Sequence, residues 1–357
     1  ARPSDLVDRG PARLMLREEP PGDAAFLERM AADGLLCVNT AFPDALLRAR
    51  PFIPGREGRR LQIAGLGDVG TALLCGLALA GAPFDLIGIY DPDEKRCLRC
   101  QMEASQVLAL NGRRPRVEIL PEDALFDCDV FVFAASAGVP PPGSRGDVRL
   151  AQLRKNRAIL ASYARRARET SFGGLFFQVS DPIDILCREL FILSNTDESG
   201  SLDYRGLRPE QIIGLGLGVM FARAACAAEA RGLQGFSETG RAYGPHGAGL
   251  VVANATGAAY DDALSRELTE AAVGANLAVR ETGYKPYIAP ALSSACVQIV
   301  RAVRGESFDA AVALDGAYLG CRARLTRFGV LPERAALNEA LFGRIEAAYR
   351  ALKEYRS

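Results

Sequence analysis

Apolar runs separated by helical patterns are clearest between residues 59 and 217. Six short apolar runs recur there, LQIAGLG, FDLIGIYD, PRVEIL, DCDVFVFAASAG, GLFFQVSDP and QIIGLG. Helical patterns separate several of them, and the longest predicts a charged helix over residues 148–169. Apolar strands that alternate with helices are typical of a parallel sheet covered on both faces. We therefore predict the α/β class, with a doubly wound parallel sheet over residues 59–217.

The pattern changes at about residue 218 to long helices and to strands with a period of two. The stretches VMFARAACAAEARGL, SRELTEAAVGANLAVRETG and APALSSACVQIVRAVRG are helical, and LNEALFGRIEAAYRALKEY predicts an amphipathic helix near the end. Alternation in GLVVANATG and FDAAVALDGAYLGCRARLTRFG predicts strands, the second stretch as a meander. We therefore assign residues 218–357 to a second, α+β domain.

Residues 1–58 form an N-terminal extension with no clear partner in the rest of the pattern. The stretch GDAAFLERMAADGLL predicts a short amphipathic helix over residues 22–36. The N-terminus is charged from its second residue, unlike a signal peptide. The longest uncharged apolar run, residues 69–84, is short for a membrane span and predicts a buried helix. We therefore expect a cytoplasmic protein that does not contact membranes.

Charge and cysteine content disfavour several partners. The 43 basic and 43 acidic residues balance, so no overall basic field favours nucleic acid. The nine cysteines are scattered along the chain, which favours reduced thiols over a disulfide framework. Cys97 and Cys100 form one C-x-x-C in a predicted helix, but a zinc site needs a second pair of ligands and none lies nearby. Packing is the favoured interpretation, and no metal site is predicted.

A glycine-rich turn follows the first predicted strand. Gly65, Gly67 and Gly70 spell G-x-G-x-x-G between that strand and a helix, with Asp68 and Val69 inside the motif. In a dinucleotide site the first glycine permits the tight turn, the second lets the pyrophosphate approach, and the third lets helix and strand pack closely. The helix N-terminus then faces the phosphates with free N–H groups. The loop therefore predicts a dinucleotide site, and the alternative is a tight turn without a ligand.

An acidic residue completes this predicted site. Asp91 ends the next strand, at the distance along the chain that dinucleotide binding requires. Its carboxylate would accept hydrogen bonds from the adenosine ribose and repel a 2′-phosphate. The predicted cofactor is therefore NAD and not NADP.

Eight motifs occur in order between residues 60 and 355: GLGDVG, IYD, FAASAG, RLAQLRKN, VSDPIDIL, FAR, GPHG and LDGAYLG. This ordered series resembles the lactate/malate dehydrogenase family. The resemblance implies a Rossmann nucleotide-binding domain followed by a substrate domain, in a homo-oligomer that is a dimer or a tetramer. Members of the family move hydride between nicotinamide and a small 2-hydroxy or 2-oxo acid, so the resemblance also implies NAD.

The resemblance assigns roles to three charged side chains. Arg223 in FAR matches the arginine that binds the substrate carboxylate, a task suited to a planar, bidentate guanidinium. Arg149 matches the mobile-loop arginine that polarises the substrate carbonyl. His246 in GPHG, the one histidine of the chain, matches the acid/base that exchanges a proton as hydride moves.

Two positions near these residues depart from the family's pattern. The family pairs its histidine with an aspartate three residues before the carboxylate-binding arginine, and that position here is Met220. The family has S-N-P where this chain has S-D-P, with Asp181 in place of the amide. One interpretation is that Asp181 now orients His246. The other is that the site is decaying in a paralogue that still binds NAD.

The specificity loop also differs. Malate-specific relatives carry an arginine directly after AGVP, where this chain has Pro141. Arg145 in the same, longer loop is a possible substitute. Oxaloacetate is therefore disfavoured, and lactate/pyruvate is the nearest substrate pair.

Three functions stay open from the sequence. The first is an NAD-dependent 2-hydroxyacid dehydrogenase of the lactate/malate type. The second is a catalytically weak NAD-binding paralogue with a sensing or association role, which Met220 and Asp181 favour. The third is a related dehydrogenase for a larger or cationic 2-oxo acid, which Asp181 would contact.

Overall fold

The structure is a computed structural model that describes residues 8–16, 38–46, 52, 59–138, 148–327 and 329–355, with the backbone alone at residues 148–151. The helix predicted over residues 22–36 lies outside the described residues. Within the described ranges, no helix is both long and apolar enough to cross a membrane.

Eleven strands are assigned in the described chain. They are β1 Arg60–Ala64, β2 Leu86–Tyr90, β3 Arg116–Ile119, β4 Val130–Phe133, β5 Leu175–Gln178, β6 Ile212–Gly214, β7 Arg241–Tyr243, β8 Val251–Ala253, β9 Ser307–Leu314, β10 Ala317–Thr326 and β11 Gly329–Pro332. Nine form one sheet in the order β11-β10-β9-β6-β5-β4-β1-β2-β3, and β7 pairs with β8. Strands β1 to β6 are parallel, which confirms the doubly wound α/β fold.

Helices cover this sheet and build much of the second half of the chain. They are α1 Asp68–Leu79, α2 Glu94–Ala104, α3 Val148–Glu169, α4 Ile183–Ser194, α5 Leu217–Ala230, α6 Phe236–Thr239, α7 Asp262–Glu281, α8 Val297–Val303 and α9 Glu339–Glu354. A π-helix, Pro290–Cys296, leads directly into α8. Helix α3 confirms the charged helix predicted over residues 148–169. Helix α4 and strand β7 were not predicted.

The two faces of the parallel sheet carry separate apolar cores. Every residue of β4 is buried. Its valines, with Val132 as an example, pack in one core, whereas Phe131 and Phe133 pack in the other. Leu73 of α1 belongs to the valine side and Leu160 of α3 to the phenylalanine side. Because alternate side chains of a strand point to opposite faces, this continuous apolar run is buried only if helices cover both faces.

The second half of the chain continues the same sheet. Gly214 of β6 pairs with Ala311 of β9 in the antiparallel sense, and β10 and β11 extend the sheet beyond β9. The division into domains at residues 59–217 and 218–357 therefore crosses a continuous sheet. It stays a prediction.

Part of the N-terminal extension packs against this second half. Asp8 and Arg334 form an ion pair at 3.0 Å, with both side chains buried. Leu14 belongs to the apolar core, and Met15 forms a parallel bridge with Ala335. The expectation that the extension has no partner is therefore wrong for residues 8–16.

The strand order reverses between β1 and β4, which are neighbours in the sheet although β2 and β3 lie between them in sequence. The carboxyl ends of parallel strands at such a reversal border a crevice. The loops after β1, β4, β5 and β6 meet at this edge, and the predicted residues Gly65, Gly67 and Asp181 lie on them.

Candidate active site

The glycine loop after β1 has the geometry that its motif predicts. Gly65 has a φ of +95°, and a Cβ on it would lie 2.4 Å from the backbone nitrogen of Ala135. A Cβ on Gly70 would lie 2.0 Å from the Gly65 carbonyl oxygen. A Cβ on Gly67 would meet nothing within 4 Å. Two glycines are therefore required by packing, and the third faces open space where a phosphate group fits.

The next two residues of the motif begin α1. Asp68 is the first residue of the helix and Val69 the second. The Asp68 carboxylate is largely exposed and lies 3.9 Å from the Lys285 ammonium. The residues present therefore fit a dinucleotide, because free N–H groups at the start of α1 lie beside the space at Gly67.

Asp91, at the end of β2, is held by several hydrogen bonds. One carboxylate oxygen accepts the Leu66 N–H at 2.8 Å, and the other accepts the Asp93 N–H at 3.0 Å. Arg96 donates to both oxygens, at 3.1 and 3.2 Å. Asp91 thus fixes the glycine loop through its hydrogen bond with the Leu66 N–H. Arg96, which sequence reasoning did not single out, brings a partly exposed guanidinium to the predicted ribose site.

His246 lies on the turn between β7 and β8 and contacts two other segments. Its backbone N–H donates to the Asp184 carboxylate at 2.9 Å. Its ring Nδ1 lies 2.9 Å from the Gly216 carbonyl oxygen. Because a carbonyl only accepts hydrogen bonds, Nδ1 carries a proton in this arrangement. The neutral ring therefore presents the lone pair of Nε2.

Asp181, at the end of the loop after β5, lies on the opposite side of the ring. Its Oδ1 is 3.8 Å from Nε2 of His246, too long for a hydrogen bond. The structure thus brings Asp181 to the histidine, but at the nitrogen that the Gly216 contact leaves open. At this distance the carboxylate acts on the ring through its charge.

Asp184 supports the same turn from inside α4. Burial raises the pKa of its carboxyl to about 6, against the opposing effect of the His246 N–H hydrogen bond and imidazole charge. The nearby Asp181 charge also raises this pKa. Asp184 lay inside the motif VSDPIDIL, but only the structure connects it to His246.

Arg223 projects from α5 with its guanidinium half-buried. It donates to the sulfur of Met220 at 3.5 Å, and among the described residues no carboxylate forms an ion pair with it. Burial lowers the pKa of the guanidinium, and the charge of Asp181 opposes that shift. A partly desolvated cation with only a thioether as partner is suited to bind an anion.

Three other predicted positions cannot be related to this geometry. Arg149 lies in the first turn of α3, and its side chain is outside the described residues. Pro141 and Arg145 also lie outside the described residues.

Asn156 of α3 joins two of the loops at the crevice. Its amide nitrogen donates to the Asp181 carbonyl at 2.7 Å, and its amide oxygen accepts the Ala137 N–H at 2.9 Å. The side chain is fully buried. Asn156 ends the motif RLAQLRKN inside α3, and the motif did not indicate that this amide is buried. It fixes the backbone of Asp181.

The two cysteines of the C-x-x-C are buried in α2. The Cys97 thiol donates to the Asp91 carbonyl at 3.4 Å, and Cys100 Sγ lies 3.5 Å from the Thr71 hydroxyl. In the described part of the chain, no group of three or more His, Cys, Asp or Glu side chains is placed to hold a metal ion. Cys97 thus contacts the residue that follows β2, and Cys100 contacts α1.

Curated relatives of this chain are L-lactate dehydrogenases. The Corynebacterium efficiens enzyme is 30% identical over 142 residues, which cover 40% of this chain and 43% of that enzyme. The Staphylococcus saprophyticus enzyme is 25% identical over 192 residues, which cover 54% of this chain and 55% of that enzyme. The chain thus spans about half the length of the curated relatives it matches. No protein-family model matches it.

Two solved structures share the fold over most of the chain. The minor L-lactate dehydrogenase of Enterococcus mundtii has a TM-score of 0.69 at 15% identity, covering 84% of this chain and 97% of that one. The malate dehydrogenase of Archaeoglobus fulgidus, solved with NADH, has a TM-score of 0.66 at 17% identity, covering 83% and 97%. The chain is thus similar in sequence to L-lactate dehydrogenases and shares the fold of lactate and malate dehydrogenases.

One departure from the pattern of these dehydrogenases lies beside Arg223. Met220 stands where the family's pattern has the aspartate of the histidine pair, and it is buried with its sulfur against Arg223. The partner of Nδ1 is instead the carbonyl of Gly216. The sequence did not indicate Gly216 as a site residue, because Gly216 contributes only its backbone carbonyl.

Proposed function

We propose that the protein is an NAD-dependent oxidoreductase that transfers hydride between nicotinamide and a small 2-hydroxy or 2-oxo acid, with lactate/pyruvate as the nearest pair. The observation that carries this proposal is the half-buried guanidinium of Arg223, which has no carboxylate partner among the described residues. The carboxylate of such an acid supplies the missing anion in bidentate geometry. The names of the curated relatives support the same chemistry.

The proposed cofactor site is the glycine loop. NAD supplies the hydride acceptor, and NADH the hydride donor, when bound. The N–H groups at the start of α1 hold the pyrophosphate, beside the open space at Gly67. Asp91 holds the loop through Leu66 and faces the adenosine ribose.

His246 is the proposed acid/base. In the reducing direction its protonated Nε2 donates a proton to the substrate carbonyl oxygen as hydride adds to the carbonyl carbon. In the oxidising direction the neutral Nε2 accepts the hydroxyl proton. Nδ1 stays protonated throughout, because its partner, the Gly216 carbonyl, only accepts. Arg149 polarises the substrate carbonyl, a role proposed from the family's pattern.

Asp181 is the proposed determinant of substrate charge. Its carboxylate is half-exposed and lies beside the reacting Nε2. A second carboxylate on the substrate would meet this charge at close range, so oxaloacetate is disfavoured.

The testing experiment is NADH oxidation against a panel of 2-oxo acids: pyruvate, 2-oxobutyrate, oxaloacetate and the guanidino 2-oxo acid derived from arginine. We expect pyruvate or 2-oxobutyrate to be reduced and oxaloacetate to be the poorest. Arg223→Gln should lower kcat/KM at least about a hundredfold, about 2.7 kcal/mol. Arg231→Gln, at the end of the same helix, is the matched control and should change nothing. A wild-type protein that reduces none of the four acids contradicts the proposal.

A second candidate is the catalytically weak NAD-binding paralogue. The neutral carbonyl on Nδ1 favours it, because a carbonyl stabilises a protonated imidazole less than a carboxylate does. It predicts NADH binding by calorimetry without turnover of any acid in the panel. Preference for the cationic acid would instead point to Asp181 as a substrate contact.

The location, the oligomeric state and the domain division of the protein are also proposed. We propose a cytoplasmic homo-oligomer, a dimer or a tetramer, with a nucleotide-binding domain over residues 59–217 and a substrate domain over residues 218–357. Light scattering on the purified chain measures its mass, and a monomer at micromolar concentration contradicts the assembly.

A further inference from the structure

A buried serine reaches the histidine site from a segment that the mechanism above does not use. Ser294 lies in the π-helix Pro290–Cys296, and its side chain is 2% exposed. Turns of π-helix are rare and occur frequently at functional sites. A Cβ on Gly218 of α5 would lie 2.3 Å from the Ser293 carbonyl oxygen and 3.0 Å from the Ser294 Cα. Close backbone packing at Gly218 therefore holds Ser294 against the start of α5.

The Ser294 hydroxyl links the start of α5 to the histidine ring. Its Oγ accepts the Val219 N–H at 2.8 Å and donates to the Gly216 carbonyl oxygen at 2.9 Å. The same carbonyl oxygen accepts from Nδ1 of His246, also at 2.9 Å. A carbonyl oxygen has two lone pairs, so it accommodates both donors. Val219, Ser294, Gly216 and His246 thus form one continuous hydrogen-bonded network.

Every hydrogen bond in this four-residue network has one possible direction. The Val219 N–H donates only, so Oγ of Ser294 must accept from it and direct its own proton to Gly216. The Gly216 carbonyl accepts only, so Nδ1 of His246 must carry a proton. The hydroxyl also provides a partner for a backbone N–H in the first turn of α5, where no intrahelical acceptor exists.

The charged groups around His246 act elsewhere on the residue. Asp184 accepts the backbone N–H, and Asp181 lies 3.8 Å from Nε2. Arg223 interacts with Asp181 by charge. Among the described residues, the recorded partner of Nδ1 is the Gly216 carbonyl. The proton on Nδ1 therefore depends on how that carbonyl is held.

We propose that Ser294 is the positioning residue for His246. It keeps the Gly216 carbonyl directed at Nδ1, which fixes the tautomer and leaves Nε2 to exchange the substrate proton. It thereby supports the task that the family's pattern gives to an aspartate at position 220, where this chain has Met220. The catalytic part of this inference rests on the proposed function, whereas the tautomer assignment does not.

The chain has one histidine, so its tautomer can be measured directly. Histidine labelled with 15N in a protein without a histidine tag gives one imidazole, and its two nitrogen shifts distinguish Nδ1–H from Nε2–H at alkaline pH. We expect Nδ1–H in the wild type and a shift toward Nε2–H in Ser294→Ala. Ser293→Ala changes the neighbouring residue of the same π-helix and should match the wild type.

Two further variants keep the test decisive if Ser294→Ala unfolds. Ser294→Cys has nearly the same shape but a weak donor, and should show the same shift toward Nε2–H. Ser294→Thr keeps the hydroxyl and should restore Nδ1–H. Thermal melts verify folding of each variant. Retention of the wild-type Nδ1–H signal in folded Ser294→Ala or Ser294→Cys overturns the proposal.

Kinetics with the acid identified from the panel test the catalytic part. We expect Ser294→Ala to lower kcat about tenfold, with KM for NADH within about twofold, and to change the shape of the pH–rate profile. Ser293→Ala should reproduce the wild-type profile. An unchanged kcat and profile in Ser294→Ala overturns the positioning role. If the wild type reduces no acid, the proposed function fails, and the 15N measurement still decides the Ser294 network.

Discussion

The glycine loop and the histidine site lie on the same edge of one sheet but are built in different ways. Gly65, Gly67 and Gly70 are close in sequence, and the positive φ of Gly65 and the contact of Gly70 with the Gly65 carbonyl lie within one loop. His246 is held by Asp184 and Gly216, which lie 62 and 30 residues away in sequence. A contiguous motif can be recognised from its spacing, whereas an assembled site is defined only when distant segments meet.

The two regions also differ in what they tolerate. In the glycine loop no other residue type can replace Gly70, because the obstacle is a backbone oxygen 2.0 Å from where a Cβ would lie. At the histidine site a missing carboxylate leaves a hydrogen bond that a backbone carbonyl can make, as Gly216 does. Divergence is therefore expected to accumulate at the histidine site and to spare the glycine loop.

The largest expected effect tests the rigidity of the glycine loop. Gly70→Ala places a methyl group against the Gly65 carbonyl, so we expect NADH affinity to fall at least about a hundredfold and stability to fall by about 3 kcal/mol. Calorimetry and thermal melts measure the two. Gly67→Ala is the matched control: its Cβ meets nothing, so its melting temperature should be unchanged while NADH binding weakens. Normal NADH affinity in Gly70→Ala would contradict this picture.

The second prediction removes the proposed acid/base and leaves the cofactor side intact. His246→Asn should lower kcat by about a hundredfold or more, within the usual contribution of general acid–base catalysis. NADH affinity should stay within about twofold, because the glycine loop does not contact the ring. Stopped-flow reduction and calorimetry separate these effects. A kcat near the wild-type value removes His246 from the mechanism.

The third prediction concerns pH and Asp184. Burial raises the pKa of this carboxyl to about 6 in the folded protein, above its ordinary value of about 4. Between these values the folded protein holds a proton that the unfolded chain releases, so this group's contribution to stability falls as pH rises through the window. Asp184→Asn keeps an acceptor for the His246 N–H and should abolish that fall, worth about 3 kcal/mol. Urea denaturation at several pH values measures it, and an unchanged pH dependence refutes the assignment.

The fourth prediction tests the charge beside Nε2. Asp181→Asn should lower the reduction rate at neutral pH at least about tenfold, about 1.4 kcal/mol, because the protonated ring loses a nearby anion. Combining it with Met220→Asp should recover part of the loss, since a carboxylate then stands at the family's position. An unchanged rate in Asp181→Asn would show that this carboxylate does not support His246. It would not contradict the dehydrogenase proposal.

The smallest expected effect concerns cofactor choice. NADH should bind at least about tenfold more tightly than NADPH, because Asp91 repels a 2′-phosphate. Arg96 partly offsets this charge, so Arg96→Ala should widen the preference a few-fold. Arg99→Ala, on the same helix but paired with Glu103, is the control and should leave it unchanged. Equal dissociation constants for the two cofactors would remove the NAD assignment.

Sequence patterns predicted the elements whose cause is local. The α3 helix and the buried β4 strand follow from apolar periodicity, and Gly65 and Gly70 from a known motif. Helix α4 was not predicted, because it begins inside the motif VSDPIDIL directly after Pro182, and a proline is typical of a turn. The pairing of Asp91 with Arg96 was not predicted, and neither were Asn156, Gly216 and Ser294. Each of these acts through a hydrogen bond to another segment, and such a partner has no signature in local spacing.

The contact between the two ends of the chain has a consequence for synthesis. Asp8 and Arg334 are 326 positions apart, and the Leu14 carbonyl accepts the Ala335 N–H. Residues 8–16 are therefore synthesised more than 300 positions before Arg334 and Ala335, their partners in the folded protein. Because the entropy of closing a loop grows slowly with its length, this delay costs little free energy once the sheet exists. A nascent chain stalled before residue 334 would carry Leu14 without the Ala335 N–H that its carbonyl accepts in the folded protein.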